Sequence, residues 1–451
     1  MAAIPLGGEF SARINNTYDA VLRAQRAPSE QTNIEVKNAV DELYEVVHLR
    51  QWYIEKDQRT NKYRFGKKFT TALLSQHCVY KTVNILDVAL KHSNHALQLR
   101  LFRVVALILS YTVRGVFAFS TQLKESTDFF AGHFPKDSCK LISKVLDIVI
   151  EEDTKARNSD PTTAFSFLKI LVLYAGATDK QCPYFKLQKL KALLSFYGHL
   201  PNDKFGTLQL IAVRLLKFGL DDYSLAQISN CIVTLCDWCS HVDSFEMEKQ
   251  SCITLAVLTK SLLKKPNNVS NLKGKMIEQI VSLVENFMTF SRAKQNPFKI
   301  ARKCNSVMET VMHSGVRSYM DTMRTRLLPI IVSAIMRDTR RKVNSNLVHM
   351  YRSVNILLPI KSCSEVNHIL KRESMDDDFM ITLFFSLNSV DEKFLCQVLK
   401  TLIRLISADS CSDVAMCSDC KLHNILRSRK LSSKWFSLPG VSAYGRVEEM
   451  L

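Results

Sequence analysis

Four residues near the C-terminus carry the side chains that zinc prefers as ligands. Cys411, Cys417, Cys420 and His423 follow the spacing C-x5-C-x2-C-x2-H. Structural zinc takes four such ligands in a tetrahedron, and a C-x2-C pair supplies two of them from one turn. The five-residue gap is not a usual finger spacing, and no second C-x2-C follows. The pattern therefore suggests a zinc site, and the competing interpretation is that these are helix-packing or free surface thiols.

A second group of possible metal ligands overlaps a helical apolar stripe. Cys231, Cys236, Cys239 and His241 lie in and just after the segment 230–238, whose apolar residues have helical spacing. Cysteine in such a stripe is usually a small core residue. We therefore interpret this group as part of a helix core.

The segment 292–361 has an unusual concentration of positive charge. It contains fourteen Lys or Arg residues and three acids, which is more than half of the chain's net charge of +18. Such a surface attracts polyanions, and salt weakens the attraction. The residues predicted to bind nucleic acid or an acidic partner protein are Arg302, Lys303, Arg324, Arg326, Arg337, Arg340, Arg341 and Lys342.

The position of these cations depends on where the helices break. We expect breaks at Asn296-Pro297 and at Pro329, which place residues 337–342 in a helix joint and residues 324 and 326 one helix earlier. Few aromatic residues are interleaved, so contact with a duplex backbone or an acidic protein tail fits better than base stacking. The alternative is a solvated basic face, or cations that are paired with acids elsewhere in the chain.

No catalytic signature is present in the chain. Phosphate-binding G-x-x-x-x-G-K-[ST], nucleophile-elbow G-x-S-x-G and zinc-protease H-E-x-x-H motifs are all missing. Only 13 glycines and 11 prolines occur in 451 residues, which argues against tight hairpins and phosphate-cradling loops. We therefore predict a protein that is not an enzyme and that uses no cofactor or small-molecule substrate.

Apolar residues recur at helical spacing over most of the chain. Val36, Val40, Leu43 and Val47 mark the face of a first long helix, and segments of about 15–25 residues follow between polar breaks. No sustained strand pattern is visible, so the predicted fold class is all-α. Three regions are predicted, namely a mixed or partly disordered segment at 1–32, with a short helix near 13–23, a helical-repeat domain at 33–430, and a tail at 431–451.

Over residues 34–430 the helix lengths and joints resemble armadillo/HEAT-type repeats, whose units span about 40 residues. This resemblance implies an α-solenoid of stacked antiparallel helix pairs. No repeat signature recurs at fixed spacing, and a large irregular helical domain would have the same composition.

The cysteines and the most apolar stretch bear on the protein's surroundings. The count of 13 cysteines is odd, many lie in helical stripes, and residues 1–10 do not resemble a secretory signal. A reducing compartment without disulfides is therefore expected. The stretch 101–119 is interrupted by Arg103 and Arg114, so it reads as a buried helix, and no membrane partner is predicted.

Together these patterns predict a helical-repeat scaffold or adaptor that is nuclear and chromosome-associated. Its basic surface would hold nucleic acid or an acidic protein. The alternative is a cytoplasmic protein–protein interaction adaptor whose groove binds a peptide or a helix.

Overall fold

The computed structural model describes residues 6–48, 54–56, 63–65, 76–119, 137–155, 161–174, 182–239, 244–265, 270–289, 297–340, 347–358, 379, 382–383, 386 and 391–409. The chain divides into two compact units at residues 219 and 220. Unit 1 comprises residues 1–219 and unit 2 comprises residues 220–451.

The described part of unit 1 contains eight α-helices and a short hairpin. The helices are α1 (Leu6–Arg26), α2 (Glu30–His48), α3 (Gln76–Leu90), α4 (His95–Phe119), α5 (Ser138–Lys155), α6 (Thr162–Tyr174), α7 (Leu187–Phe196) and α8 (Asn202–Leu215). Short 3-10 turns at Pro183–Phe185 and Tyr197–His199 flank α7.

Consecutive helices of unit 1 pack as pairs, α1 on α2, α3 on α4, α5 on α6 and α7 on α8. Arg13 pairs with Glu42, and Arg23 pairs with Glu35, so the first pair is antiparallel. The predicted stripe on α2 is confirmed, because Val36, Val40, Leu43 and Val47 are all buried. Helices α1, α3 and α5 form one layer, and α2, α4, α6 and α8 form the other.

The predicted all-α fold class is confirmed, and one short β-hairpin lies among the described helices of unit 1. Strands β1 (Ile54–Lys56) and β2 (Tyr63–Phe65) pair antiparallel, with Ile54 opposite Phe65. Isoleucine, tyrosine and phenylalanine are good strand formers, but three residues are too few to show an alternating pattern.

The N-terminal segment is more regular than predicted. Helix α1 runs through Leu6–Arg26, well beyond the short helix expected near residues 13–23. Asn15, Asn16 and Thr17 lower its helix propensity, but tertiary packing outweighs propensity. Phe10, Ile14 and Val21 are buried, and α1 packs on both α2 and α3. Residues 6–26 therefore belong to the helical stack.

The described part of unit 2 contains seven α-helices, preceded by a 3-10 turn at Leu220–Asp222. The helices are α9 (Leu225–Cys239), α10 (Phe245–Lys264), α11 (Ser270–Thr289), α12 (Pro297–Met312), α13 (Arg317–Arg340), α14 (Leu347–Leu357) and α15 (Glu392–Asp409). Pro297 occupies the first position of α12, as the predicted break at Asn296-Pro297 requires.

Unit 2 is also built from stacked helix pairs, α9 with α10, α11 with α12 and α13 with α14. Arg324, early in α13, donates to the carbonyl of Leu357, the last residue of α14, so this pair is antiparallel. Layer 1 consists of α9, α11 and α13 in neighbour contact, and layer 2 consists of α10, α12, α14 and α15. Within each unit the described residues thus form an all-α stack of the solenoid type, apart from the hairpin in unit 1.

Pro329 does not break a helix, contrary to the prediction. It lies inside α13, which continues from Arg317 to Arg340. Proline removes the hydrogen bond to the carbonyl four residues earlier, here that of Thr325. Thr325 is exposed, so water can satisfy that carbonyl. Arg324, Arg326 and Arg337 consequently share one helix.

None of the described helices is both long enough and apolar enough to span a membrane.

Candidate nucleic-acid interface

The structure removes Arg324 from the predicted binding residues. Its side chain is buried at 5% exposure. Its Nε donates to the carbonyl oxygen of Leu357 at 2.9 Å, and its Nη1 donates to Asp321 at 3.2 Å. The guanidinium holds the end of α14 against α13, so it cannot contact a phosphate in this structure.

Arg326 and Arg337 are accessible but paired with acids. Arg326 donates to Ser282 at 3.0 Å and forms an ion pair with Glu285, both on α11. Arg337 forms an ion pair with the buried Asp338 at 3.1 Å. Both residues lie in layer 1, and their pairing matches the alternative in which cations of this segment are paired with acids of the chain.

Among the remaining predicted cations, the structure describes the side chain of Arg302 but not the side chains of the others. Arg302 is exposed on α12. Lys303 and Arg340 lie in α12 and in the last turn of α13, with side chains outside the described residues, and Arg341 and Lys342 lie outside them entirely. Arg340 therefore ends a helix, whereas it was expected in a joint.

The C-terminal zinc hypothesis also falls outside the described residues, since Cys411, Cys417, Cys420 and His423 are not among them. In the second group, Cys231 is buried and Cys236 and Cys239 are half-buried on α9. Within the described part of the chain, no three metal-binding side chains come together.

In the described part of unit 2, layer 2 carries most of the exposed positive charge. Each inner helix of this layer has layer-2 helices on both sides and a layer-1 helix behind it, which leaves one stripe open to solvent. The exposed charged side chains described on these four helices are all basic. We call this set the basic face, and its members are Lys260, Lys264, Arg302, Arg352, Lys393 and Lys400.

The acids described on the same helices are few and half-buried. Glu309 accepts from Arg352 at 2.7 Å, and Glu246 accepts from Lys249 at 3.1 Å. Layer 1 differs, because exposed Asp237 and Glu278 accompany its exposed cations. The described surface of unit 2 is therefore more strongly basic on layer 2 than on layer 1.

Sequence reasoning found only Arg302 of the basic face. The signal that could have revealed the rest is helical spacing, since Val257, Lys260 and Lys264 are three and four residues apart on α10. Successive helices alternate between the two layers. A charge count over a contiguous segment therefore combines cations of layer 1 with cations of layer 2.

Comparisons with known proteins add little to this geometry. No protein-family model matches the chain, and no curated protein matches it. Among solved structures, the chain is similar to an engineered protein at 11% identity and a TM-score of 0.42, covering 87% of this chain and 99% of that one. It is also similar to a circular tandem repeat protein with a novel repeat topology, at 11% identity and a TM-score of 0.34, covering 99% and 97%. Both similarities are too weak to carry an argument about function.

Buried side-chain pairs connect successive helices of layer 2. The thiols of Cys252 and Cys304 lie 3.7 Å apart between α10 and α12. The hydroxyl of Ser353 on α14 donates to Asn305 on α12 at 2.5 Å. We call these two pairs and a third, Asn355 with Thr401, the layer-2 ladder.

The third pair of the ladder joins α14 to α15. Thr401 donates to the Asn355 side-chain oxygen at 3.0 Å, and the Asn355 amide donates to the carbonyl of Gln397 at 2.9 Å. The sequence separations fall from 52 to 48 to 46 residues along the ladder. Because this separation differs from one pair to the next, equivalent residues do not recur at a fixed spacing in the sequence.

A histidine lies among the cations of the basic face. Partial burial, followed by the charges of Arg302 and Arg352, lowers the pKa of His349 below its usual value. The Nδ1 atom of His349 is buried and has no hydrogen-bond partner among the described residues. Arg302 on α12 and Arg352 on α14 both lie within electrostatic range of His349.

We predict that reductant leaves the melting temperature unchanged within about one degree. The nine described cysteines are thiols, and the Cys252 and Cys304 sulfurs are well beyond the ~2.0 Å of a disulfide bond. Burial raises the pKa of Cys252 well above its usual value, which makes the reactive thiolate scarce. Differential scanning fluorimetry with and without a phosphine reductant measures this. A fall of several degrees would contradict the prediction, since a lost bridge usually costs ~2–4 kcal/mol.

Proposed function

We propose that this chain is a non-enzymatic helical-repeat scaffold that binds the backbone of duplex nucleic acid through the basic face. We further propose that it does so in the nucleus, on chromosomes. The observation that carries the proposal is the basic face itself, six exposed cations on neighbouring helices, with Asp391 immediately before α15 as the one exposed acid described beside them. Such a surface attracts the phosphates of nucleic acid, and counterion release favours their binding.

The dimensions of the basic face suit a duplex. Packed helices lie about 8–10 Å apart, so the four helices of layer 2 extend over roughly 25–30 Å. One turn of B-form DNA is about 34 Å long, and both strands then present phosphates along that length. Contacts of this kind position a protein without reading bases, so little sequence preference is expected.

A second candidate function has one specific observation in its favour. Val257 is 38% exposed on α10, beside Lys260 of the basic face. Half-buried Ile356 and Leu399 occupy open positions on α14 and α15. Apolar side chains among cations also suit an acidic amphipathic helix of a partner protein. This is the cytoplasmic adaptor alternative.

Charge reversal on the basic face tests the proposal. The log of the affinity for a labelled duplex should fall linearly with log salt, with a slope near −5 if all six cations contact phosphates. Replacing Lys260 and Lys400 by Glu should flatten that slope by about two units and weaken binding about tenfold or more at 100 mM salt. Fluorescence anisotropy across a salt series measures both quantities.

The matched control reverses two cations of layer 1, Lys275→Glu with Arg317→Glu, which makes the same change in net charge. Both residues are exposed, so neither double variant should alter the fold. The proposal is wrong if the two double variants weaken binding equally, or if the parent chain does not bind duplex DNA at low salt. Binding of a poly-glutamate peptide without DNA binding, together with a cytoplasmic image of the tagged chain, would instead support the adaptor.

A further inference from the structure

The geometry points to a phosphodiester-binding site within the basic face, formed by Arg302, His349 and Arg352, that takes up a proton when it is occupied. The inference rests on the proposed function and specifies where the phosphate lies and how pH affects it. Arg302 comes from α12, and the other two residues come from α14. The site therefore spans the junction of two repeats and requires their correct docking.

Buried hydrogen bonds hold this junction in place. The Asn305 amide on α12 donates to the backbone carbonyl of His349 at 3.2 Å. The Asn305 side-chain oxygen accepts from Ser353, which lies next to Arg352. Asn305 is 2% exposed, so these bonds are shielded from water. Arg302 is one helical turn from Asn305, and the clamp thereby sets the distance between Arg302 and the α14 side chains.

Arg302 and Arg352 provide the fixed charge of the site. Arg302 is exposed, and no ion pair joins it to an acid of the described residues. Arg352 is half exposed and donates to Glu309 at 2.7 Å, an ion pair that solvent screens. Guanidinium groups match phosphate oxygens with paired N–H donors. A phosphate bound here competes with Glu309 for Arg352.

His349 makes the occupancy depend on pH. In the free protein its pKa is lowered, first by partial burial and then by Arg302 and Arg352, so it is largely neutral near pH 7. A bound phosphodiester adds negative charge and offsets the two arginines, which raises the pKa of His349 in the complex. The complex then holds more protons than the free chain. Affinity must therefore rise as pH falls from the pKa of the complex towards that of the free protein.

The other charged groups described on the helices around α14 do not reverse the expected rise in affinity at lower pH. On α13, Arg324 is paired with Asp321, and Arg337 is paired with Asp338. On α15, the exposed charges described are basic. The described ionisable groups on or next to the helices packed against α14 are Glu309 and His313 at α12, Arg317, Asp321, Arg324, Arg326, Arg337 and Asp338 on α13, and Asp391, Lys393 and Lys400 at α15.

The test measures binding of a labelled 20-base-pair duplex between pH 8.0 and 6.0 at constant ionic strength. Phosphodiesters do not titrate in this range, so any dependence belongs to the protein. One histidine coupled to binding changes affinity by at most tenfold per pH unit, and we expect about fivefold tighter binding at pH 6.0. His349→Gln should remove most of that increase and leave the affinity at pH 8.0 within about twofold of the parent. Glu309→Gln, which releases Arg352, should tighten binding about threefold at both pH values.

Two controls separate the site from a general effect of histidine charge. His313→Gln changes an exposed histidine just beyond the end of α12, and His199→Gln changes an exposed one in unit 1. Both variants should keep the pH dependence of the parent, and thermal melts establish that each variant is folded. The site is overturned, and the proposed function survives, if His349→Gln retains the pH dependence, if His313→Gln loses as much of it, or if Glu309→Gln weakens binding. Absence of any duplex binding by the parent overturns both proposals together.

Discussion

Replacing Arg324 by alanine is expected to lower the free energy of unfolding of unit 2 by about 3 kcal/mol, because a buried carbonyl loses its donor and a long side chain leaves a void. The carbonyl is that of Leu357, and the Asp321 carboxylate loses its ion pair with Arg324 as well. Urea unfolding followed by circular dichroism measures the change. Two units need not unfold together, so the transition must be fitted with more than two states if the curve requires it.

Arg317→Ala is the matched control for this substitution. Arg317 belongs to the same helix and pairs with the same Asp321, at 3.8 Å, but its side chain is 80% exposed. Exposed ion pairs of this kind contribute ~0–1 kcal/mol. Equal destabilisation by the two variants would show that Arg324 has no special structural role. Duplex binding by folded Arg324→Ala should match the parent, whereas an ordinary phosphate contact would flatten the salt slope by about one unit.

Replacing the two asparagines of the layer-2 ladder should also lower the free energy of unfolding. Asn305→Ala and Asn355→Ala are each expected to cost about 2 kcal/mol, since each leaves buried hydrogen-bonding partners unsatisfied. The two side chains share no partner, because Asn305 bonds to His349 and Ser353 while Asn355 bonds to Gln397 and Thr401. The double variant should therefore lose about 4 kcal/mol.

Asn286→Ala, at an exposed position of α11, controls for asparagine removal from a helix. It should change stability by less than ~0.5 kcal/mol or raise it slightly, as alanine has the higher helix propensity. A loss for the ladder variants no greater than for Asn286→Ala would mean that the ladder does not hold the layer together. A double variant that costs far more than the sum would mean that the two rungs are coupled through α14.

The fold class was accessible from the sequence because it depends on a repeated local pattern. Apolar stripes such as that of Val36 and Val40 follow the helical period, and packing against neighbours buries them. The scarcity of glycine and proline independently favours long helices over strands joined by tight turns. The hairpin was missed because three-residue strands lack a period, and Pro329 was misread because propensity at one position does not decide a helix that packs on both layers.

The binding residues were harder to predict, since burial depends on contacts distant in sequence. Arg324 and Arg302 look alike in the chain, and only the position of Leu357 shows that the first is structural. Arg326 is paired with an acid 41 residues away. Four of the six residues of the basic face lie outside the predicted segment, because Lys260, Lys264, Lys393 and Lys400 join Arg302 and Arg352 only once α10, α12, α14 and α15 are side by side.

The short sequence separations within the layer-2 ladder affect how the protein folds during its synthesis. Its rungs connect residues only 46–52 positions apart, so each helix of layer 2 can dock soon after the next one has been synthesised. At translation rates of about 5–20 residues per second, the wait between rungs is roughly 2–10 seconds. Apolar stripes are then covered in sequence order while the ribosome is still at work, and the interval during which any stripe could attract a chaperone or another nascent chain is brief.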